Sequence, residues 1–310
     1  MTVAEVGPPE LAPNADRFSG FADLYDDVRP QPPGDLARIL TSYCGKRRPD
    51  VIDLGSGTGL STRWASRWAR STIGVEPSAD MRALAERRAP DNARFVEGFG
   101  HDTGLVADSA DLVLAVQAMH WMEPTGTLAE VARLLRPGGV FAAIDCDWPP
   151  TVGSVPLERA WANCRKAIGV LESRLADGLE DEELRRPVRE DDPAGRGYSA
   201  RDAHRDRHLA MGVRSWSKDG HLERMAGSGH FGWCHELALH QAENGDAARF
   251  MGLFRSQGDY QTLRRSGLDD ETLGVSQLAA VAEMTLAGGP RPWWFTYRIR
   301  IGVVPGVHPH

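Results

Sequence analysis

Three glycines alternate in Gly55-Ser56-Gly57-Thr58-Gly59, directly after the apolar run Val51-Ile52-Asp53-Leu54. With no Cβ in the way, such a turn lets the backbone approach a ligand closely, and the spacing decides which ligand it suits. The dinucleotide fingerprint Gly-x-Gly-x-x-Gly requires glycine at position 60, where this chain has Leu60, so a nicotinamide cofactor is the weaker reading. Asp53 precedes the first glycine; a carboxylate there repels a pyrophosphate but suits an ammonium or a ribose-side network. Glu76 ends the next apolar run, Ile73-Gly74-Val75-Glu76-Pro77, and its two oxygens match the two hydroxyls of a ribose. Together these residues predict a site for a nucleoside with free 2′ and 3′ hydroxyls.

Further reactive side chains follow two later apolar runs. His120 and Trp121 come just after Leu112 to Val116, and Asp147 and Trp148 just after Val140 to Ile144. If those runs are strands of an open α/β sheet, all four residues reach its carboxyl edge, where such sheets bind ligands. His120 is the candidate general base and Trp148 a candidate wall for a second substrate, while Trp121 serves equally well as core filler. His204-x-x-x-His208 has the i, i+4 spacing of a metal-binding pair, but it lacks the Glu of the metalloprotease motif and sits among many charges. A solvated helix face is the better reading, and no metal site is predicted. Cys44, Cys146, Cys164 and Cys234 match neither zinc nor thioredoxin spacing.

The elements that must position these groups follow from the hydrophobic pattern. Between Asp50 and Cys146, short apolar runs alternate with amphipathic stretches, as in βαβ units joined by parallel crossovers. Strands are expected at 51–54, 72–75, 94–96, 112–116 and 140–144, with helices at 61–69, 81–88 and 128–135. The last helix is stopped by Arg136-Pro137-Gly138-Gly139, with glycine as its left-handed cap. Residues 233–240 alternate at period two as strand six, 247–263 and 271–286 read as helical, and 293–304 is the last strand. Residues 172–208 hold 19 charged side chains in 37 and are broken by Pro187, Pro193, Gly195 and Gly197, so they read as surface helices with a loop. The expected fold is α/β: a seven-stranded, mostly parallel, doubly wound Rossmann-like sheet with a helical lid inserted between strands five and six. The expected division is an N-terminal covering segment (1–48), a ligand-binding core (49–150), a helical lid (151–230) and C-terminal elements completing the sheet (231–310).

Composition narrows the function. The chain has 310 residues, 41% hydrophobic and 25% charged, which supports both a buried core and a hydrated surface. Lys plus Arg number 36 against 43 Asp plus Glu, and the net charge of −7 gives nucleic acid no global attraction. Charge-free stretches reach only eleven residues, short of the roughly 18 to 20 that span a membrane. Residues 1–20 lack the pattern of a signal peptide, so a cytoplasmic protein is expected.

In order and separation, the glycine loop from Asp53 to Gly59, the acidic Glu76 and Leu134-Leu135-Arg136-Pro137-Gly138-Gly139 resemble class I S-adenosylmethionine-dependent methyltransferases. Within that superfamily the chain is similar to the small-molecule group typified by trans-aconitate methyltransferases, through Phe18-Ser19-Gly20-Phe21-Ala22-Asp23-Leu24-Tyr25, Arg29-Pro30 and Gln117-Ala118-Met119-His120-Trp121. The resemblance implies S-adenosyl-L-methionine as cofactor, with Asp53, Gly55, Ser56, Gly57, Thr58 and Gly59 around its methionine part. It implies Glu76, followed by Pro77, at the ribose; Met81 on the adenine face; and Gly98 and Phe99 at the adenine edge, where His101 stands in place of the group's usual acidic residue. It further implies that Gln117 and Ala118 meet the methionine amino group through backbone oxygen, and that Tyr25 and Arg29 meet the methionine carboxylate.

The implied reaction is in-line methyl transfer to a small-molecule acceptor, for which positioning dominates. A hydroxyl acceptor calls for a base, and His120 is the candidate. A carboxylate acceptor needs none and calls instead for cations from the lid, with Arg201, Arg205, Arg214 and Lys218 available. Trp148 and its aromatic neighbours would exclude water and stabilise the sulfonium by cation–π contact. Carboxylate, hydroxyl and amine acceptors all stay open, as do a nucleic-acid or protein methyltransferase and a cyclase that binds the cofactor without transferring its methyl.

Overall fold

Side-chain alternation inside the strands sets the layers. Val51, Leu112, Leu114, Val140, Ala142 and Ile144 point to one side of a sheet, while Ile52, Leu54, Val113, Ala115, Phe141 and Ala143 point to the other, and all are buried. Strands apolar on both faces need cover on both. The computed structural model, which describes residues 11–179, 188, 207–208 and 212–306, supplies it.

Five strands run parallel: β1 (Asp50–Leu54), β2 (Ser71–Val75), β3 (Ala93–Val96), β4 (Ala110–Val116) and β5 (Leu135–Cys146). A short ribbon, β6 (Arg207–His208) with β7 (Arg214–Ser215), stands apart from them. Then β8 (Trp233–Gly245) and β9 (Arg291–Val303) pair antiparallel, and β9 also lies antiparallel to β5. The order is β3-β2-β1-β4-β5-β9-β8. From β1 the chain builds outward to β2 and β3, then returns to lay down β4 and β5 on the other side. A crevice therefore opens beyond the carboxyl ends of β1 and β4.

The helices are α1 (Ala12–Asp16), α2 (Ala22–Val28), α3 (Gly34–Cys44), α4 (Leu60–Ser66), α5 (Ala79–Arg87), α6 (Pro124–Leu134), α7 (Val155–Ala176), α8 (His221–Gly227), α9 (Ala247–Arg255), α10 (Gly258–Arg265) and α11 (Val275–Leu286). One sheet face packs against α3, α4, α7, α9, α10 and α11, and the other against α6 and α8. None of the described helices is long and apolar enough to cross a membrane.

The chain from β3 to β4 runs through loop, with only the Phe99–Asp102 bridge. Three local expectations need correction. Helix α6 starts earlier, where the Glu123 side chain accepts hydrogen bonds from the Thr125 and Gly126 N–H groups. It ends at Leu134 without a glycine cap, because Leu135 is already extended and pairs with Ala110; Gly138 takes its φ of +78° inside an irregular start to β5. Finally, α7 is no lid. Leu157, Trp161, Cys164, Ile168 and Leu171 form its buried stripe, and the Trp161 ring meets Phe250 and Phe254 edge-on at 5.0 and 4.8 Å. The rest of the expected lid falls largely outside the described residues, including Arg201, Arg205 and His204.

The N-terminal segment is strapped down by polar groups. Arg17 and Glu172 form an ion pair of 2.8 Å with side chains only 3% and 4% exposed. Asp26 pairs with Arg63 at 2.7 Å and also with Arg88. The Asn14 side chain donates to the carbonyls of Trp121 (2.7 Å) and Arg214 (2.9 Å) and accepts from the Arg214 N–H (2.8 Å). Removing one member of a buried ion pair strands the other. Arg17→Leu should therefore cost about 3 to 5 kcal/mol in denaturant unfolding, and adding Glu172→Leu should restore much of the loss; a single variant as stable as wild type would show that the pair is not an anchor.

Candidate functional site

Strand β1 runs straight into three left-handed glycines, with φ of +64°, +55° and +82° at Gly55, Gly57 and Gly59. Each plays a different part. A Cβ on Gly55 would lie 2.7 Å from Ala118 Cβ and 2.8 Å from Met122 Cε, so here the turn must pass close to the loop after β4. A Cβ on Gly59 would strike Phe95, which makes this glycine a packing residue at the start of α4. In front of Gly57 there is nothing within 4 Å, and its α-carbon faces open space.

Across this gap stands Glu76, at the end of β2. Its Oε2 accepts the Gly57 N–H at 2.8 Å, and its Oε1 accepts the Ser78 N–H at 2.9 Å. Burial pushes its pKa up to about 7 against the pull of those two donors. The cavity beside it is lined by Gly55, Ser56, Gly57 and Thr58 after β1, Glu76, Pro77 and Met81 after β2, Gly98 and Phe99 after β3, and Gln117 and Ala118 after β4. Tyr25 and Arg29 enter from the N-terminal segment and Trp148 from beyond β5. The hydroxyls of Ser56 and Thr58 have no protein hydrogen-bond partner but are buried away from the open cavity, Ser56 Oγ lying against Gly74 of β2.

Arg29 is held as a flat plate. Its guanidinium lies 4.6 Å from the Tyr25 ring centroid and 4.7 Å from that of Trp148, while Nε and Nη2 donate to the Ser256 hydroxyl and carbonyl, each at 2.9 Å. No carboxylate among the described residues forms an ion pair with it, and burial lowers its pKa.

Three expected residues stand elsewhere. Asp53 is fully buried beneath the turn, where Oδ2 accepts from the Ser61 and Thr62 hydroxyls at 2.7 and 2.6 Å and burial raises its pKa to about 6. Like Gly59, it does not line the cavity: the alternation that sends Ile52 and Leu54 to one face sends Val51 and Asp53 to the other, toward α4. His120 also lies behind the wall. Its Nδ1 is 3.6 Å from Asp145 Oδ1, and Asp145 is approached by Lys218 Nζ (3.2 Å), Arg300 Nη1 (2.9 Å) and His221 Nε2 (3.6 Å). Burial, reinforced by Lys218, lowers the His120 pKa to about 3, so the ring is neutral, and it lines no part of the cavity a substrate would enter. A base must reach the proton it removes, and His120 is not among the residues lining this cavity. His120, Asp145 and His221 bring potential metal donors within 4.8 Å of one another, but Lys218 and Arg300 already neutralise the carboxylate, and the cluster reads as an ion-pair network.

Several lining residues give no local signal in the sequence. Asn14 and Phe18 join through the strap, and Cys146 and Tyr297 through the pairing of β5 with β9. The period-two pattern Trp293, Phe295, Tyr297, Ile299 does place Tyr297 on a buried face, although not at a ligand site.

A family model described as a methyltransferase domain matches residues 52–143. Its match takes in β1 to β5 and all four loops that line the cavity from the sheet side. A Saccharomyces cerevisiae protein, CRG1, assigned as a probable S-adenosylmethionine-dependent methyltransferase, is 31% identical over 124 residues, which cover 38% of this chain and 43% of that one. An uncharacterized methyltransferase of Mycobacterium bovis is 34% identical over 123 residues, covering 39% and 49%. The chain thus spans less than half the length of these relatives. Among solved structures, one assigned as a type II methyltransferase from Anaeromyxobacter dehalogenans shares the fold, with a TM-score of 0.55 at 22% identity over 91% of this chain and 99% of that one.

The two glycines of the rim should respond differently to a methyl group. Both take a left-handed φ that costs a non-glycine residue about 1 to 2 kcal/mol. Gly57→Ala adds a methyl to open space and should lose about that much stability; Gly55→Ala also drives it into Ala118 and Met122, for about 1 to 3 kcal/mol more. Equal losses in chemical denaturation would contradict the close approach at Gly55.

Proposed function

We propose that the protein transfers the methyl group of S-adenosyl-L-methionine to a small-molecule acceptor. The observation that carries this reading is the pair of charged residues in the described cavity lining: Glu76 at the rim of β2 and Arg29 on the strap. A carboxylate with lone pairs left after two N–H bonds suits a ribose diol, and a guanidinium without an acidic partner suits the methionine carboxylate. The open space before Gly57 fits the same ligand. Met81, Pro77, Gly98 and Phe99 would flank the base, and the loop backbone at Gln117 and Ala118 the amino group.

When bound, that cofactor supplies an electrophilic methyl on a sulfonium. The chain's own residues then bind and orient. Phe18, Trp121, Met122, Trp148 and Tyr297 give the remaining wall an apolar, largely aromatic character, which excludes water and favours a cationic sulfur by cation–π attraction. Residues of the N-terminal segment close the cavity, and this cover supports a small acceptor over a macromolecule. The described lining holds no His, Lys or Asp, which favours an acceptor already nucleophilic at neutral pH over one that needs His120 as base. A cytoplasmic location without membrane or nucleic-acid partners accords with the charge balance.

Calorimetric titration with S-adenosylhomocysteine tests the reading. Glu76→Ala should weaken binding at least about tenfold, since charge-assisted hydrogen bonds contribute about 1.5 to 3 kcal/mol each. The ribose hydroxyls donate to the carboxylate form, and the free carboxyl titrates near pH 7, so affinity should rise with pH across that value and level off above it. Glu76→Gln should abolish the rise. An affinity independent of both pH and Glu76 would remove the ribose from this site, and release of no S-adenosylhomocysteine with any acceptor would exclude methyl transfer.

A further inference from the structure

The polar cluster behind the cavity wall ends on a strained residue. Gln117 is one of two non-glycine residues with positive φ among those described, at +54°, and it sits where β4 delivers the chain to the cavity. A side chain in that region of backbone space is held there by its surroundings. The surroundings are visible. The Gln117 N–H donates to the Ile144 carbonyl (2.8 Å), its Nε2 donates to the Cys146 carbonyl (3.1 Å), and its Oε1 accepts from Lys218 Nζ (2.8 Å). Lys218 comes from a different part of the chain, between β7 and α8, and its ammonium is fixed in turn by buried Asp145, whose other oxygen is taken by buried Arg300.

We infer that Lys218 is a positioning residue for the cofactor: clamped by Asp145, it locks the Gln117 amide and so holds the loop backbone left-handed, with the Gln117–Ala118 segment presented to the cavity. This rests on the proposed cofactor reading. Lys218 itself does not line the cavity, and it acts through Gln117. The arrangement also has an electrostatic logic. A bare ammonium beside the place of the cationic methionine amino group would repel it, whereas Asp145 neutralises Lys218 and leaves it a hydrogen-bond donor.

The two links are separable by a double-mutant cycle. Calorimetry with S-adenosylhomocysteine and a thermal melt would be run on the full chain carrying Lys218→Met, Gln117→Gly, both changes or neither. Lys218→Met alone should weaken binding about tenfold. In combination with Gln117→Gly it should add less than a further twofold, because glycine adopts the left-handed backbone unaided and offers Lys218 nothing to hold. Lys218→Arg, which keeps a charged donor, should stay within about threefold of wild type. Equal losses from Lys218→Met in both backgrounds, or no loss in the first, would overturn the inference. A merely structural role would lower the melting temperature alike in both backgrounds without this coupling in affinity. Should Lys218→Met fail to fold, Gln117→Met leaves the Lys218–Asp145 pair intact, and wild-type affinity in that variant would equally overturn the inference. Failure of the unmutated protein to bind S-adenosylhomocysteine would instead overturn the cofactor reading beneath it.

Discussion

One hydrogen bond ties the rim of the site together: the N–H of Gly57 donates to the carboxylate of Glu76 across the gap between the first two strands. It joins the loop after β1 to the loop after β2, and it requires the left-handed glycine turn, without which the Gly57 N–H would not point at β2. The bond also sets the chemistry of the rim. Two backbone donors do not fully offset the burial of the carboxylate, which is why its pKa rises to about 7. A group left under-solvated in this way gains from further donors, and a vicinal diol supplies two.

The second constraint is the strap. An open α/β sheet offers a crevice at its switch point but no roof. Here Asn14, Arg17 and Asp26 fasten the first described residues to the loop after β4, to α7 and to α4, and this brings Arg29 over the crevice. Arg29 is then held between Tyr25 and Trp148 and against Ser256, so groups from the N-terminal segment, the loop after β5 and the end of α9 must all be in place before the cavity has its cation. Cover and recognition thus come from the same residues.

Much of this was legible in the amino-acid order because the site lies at strand ends, and strands buried on both faces read as short apolar runs. The runs ending at Leu54, Val75, Val96 and Val116 locate the four sheet-side loops, and glycine and acidic residues mark what those loops do. Asp53 was harder: its neighbour, the glycine turn, drew attention to the ligand, while the alternation within β1 points its side chain at α4. His120 illustrates a different limit. Its position after β4 is plain, but Asp145, Lys218, His221 and Arg300, which make the buried network around it, arrive from three other parts of the chain. In 151–230 the dense charge after Glu172 obscured the apolar stripe of Leu157, Trp161, Cys164 and Ile168, whose spacing marks a core helix.

On the function proposed above, one cofactor spans the cavity from Glu76 to Arg29 beneath the strap. A crystal structure of the protein grown with S-adenosylhomocysteine decides whether it does. The ribose hydroxyls should lie on the Glu76 carboxylate, the amino-acid carboxylate on Arg29 and the sulfur against the aromatic wall of Trp121 and Trp148. Density for the ligand elsewhere, or in this cavity with its carboxylate turned away from Arg29, would contradict it.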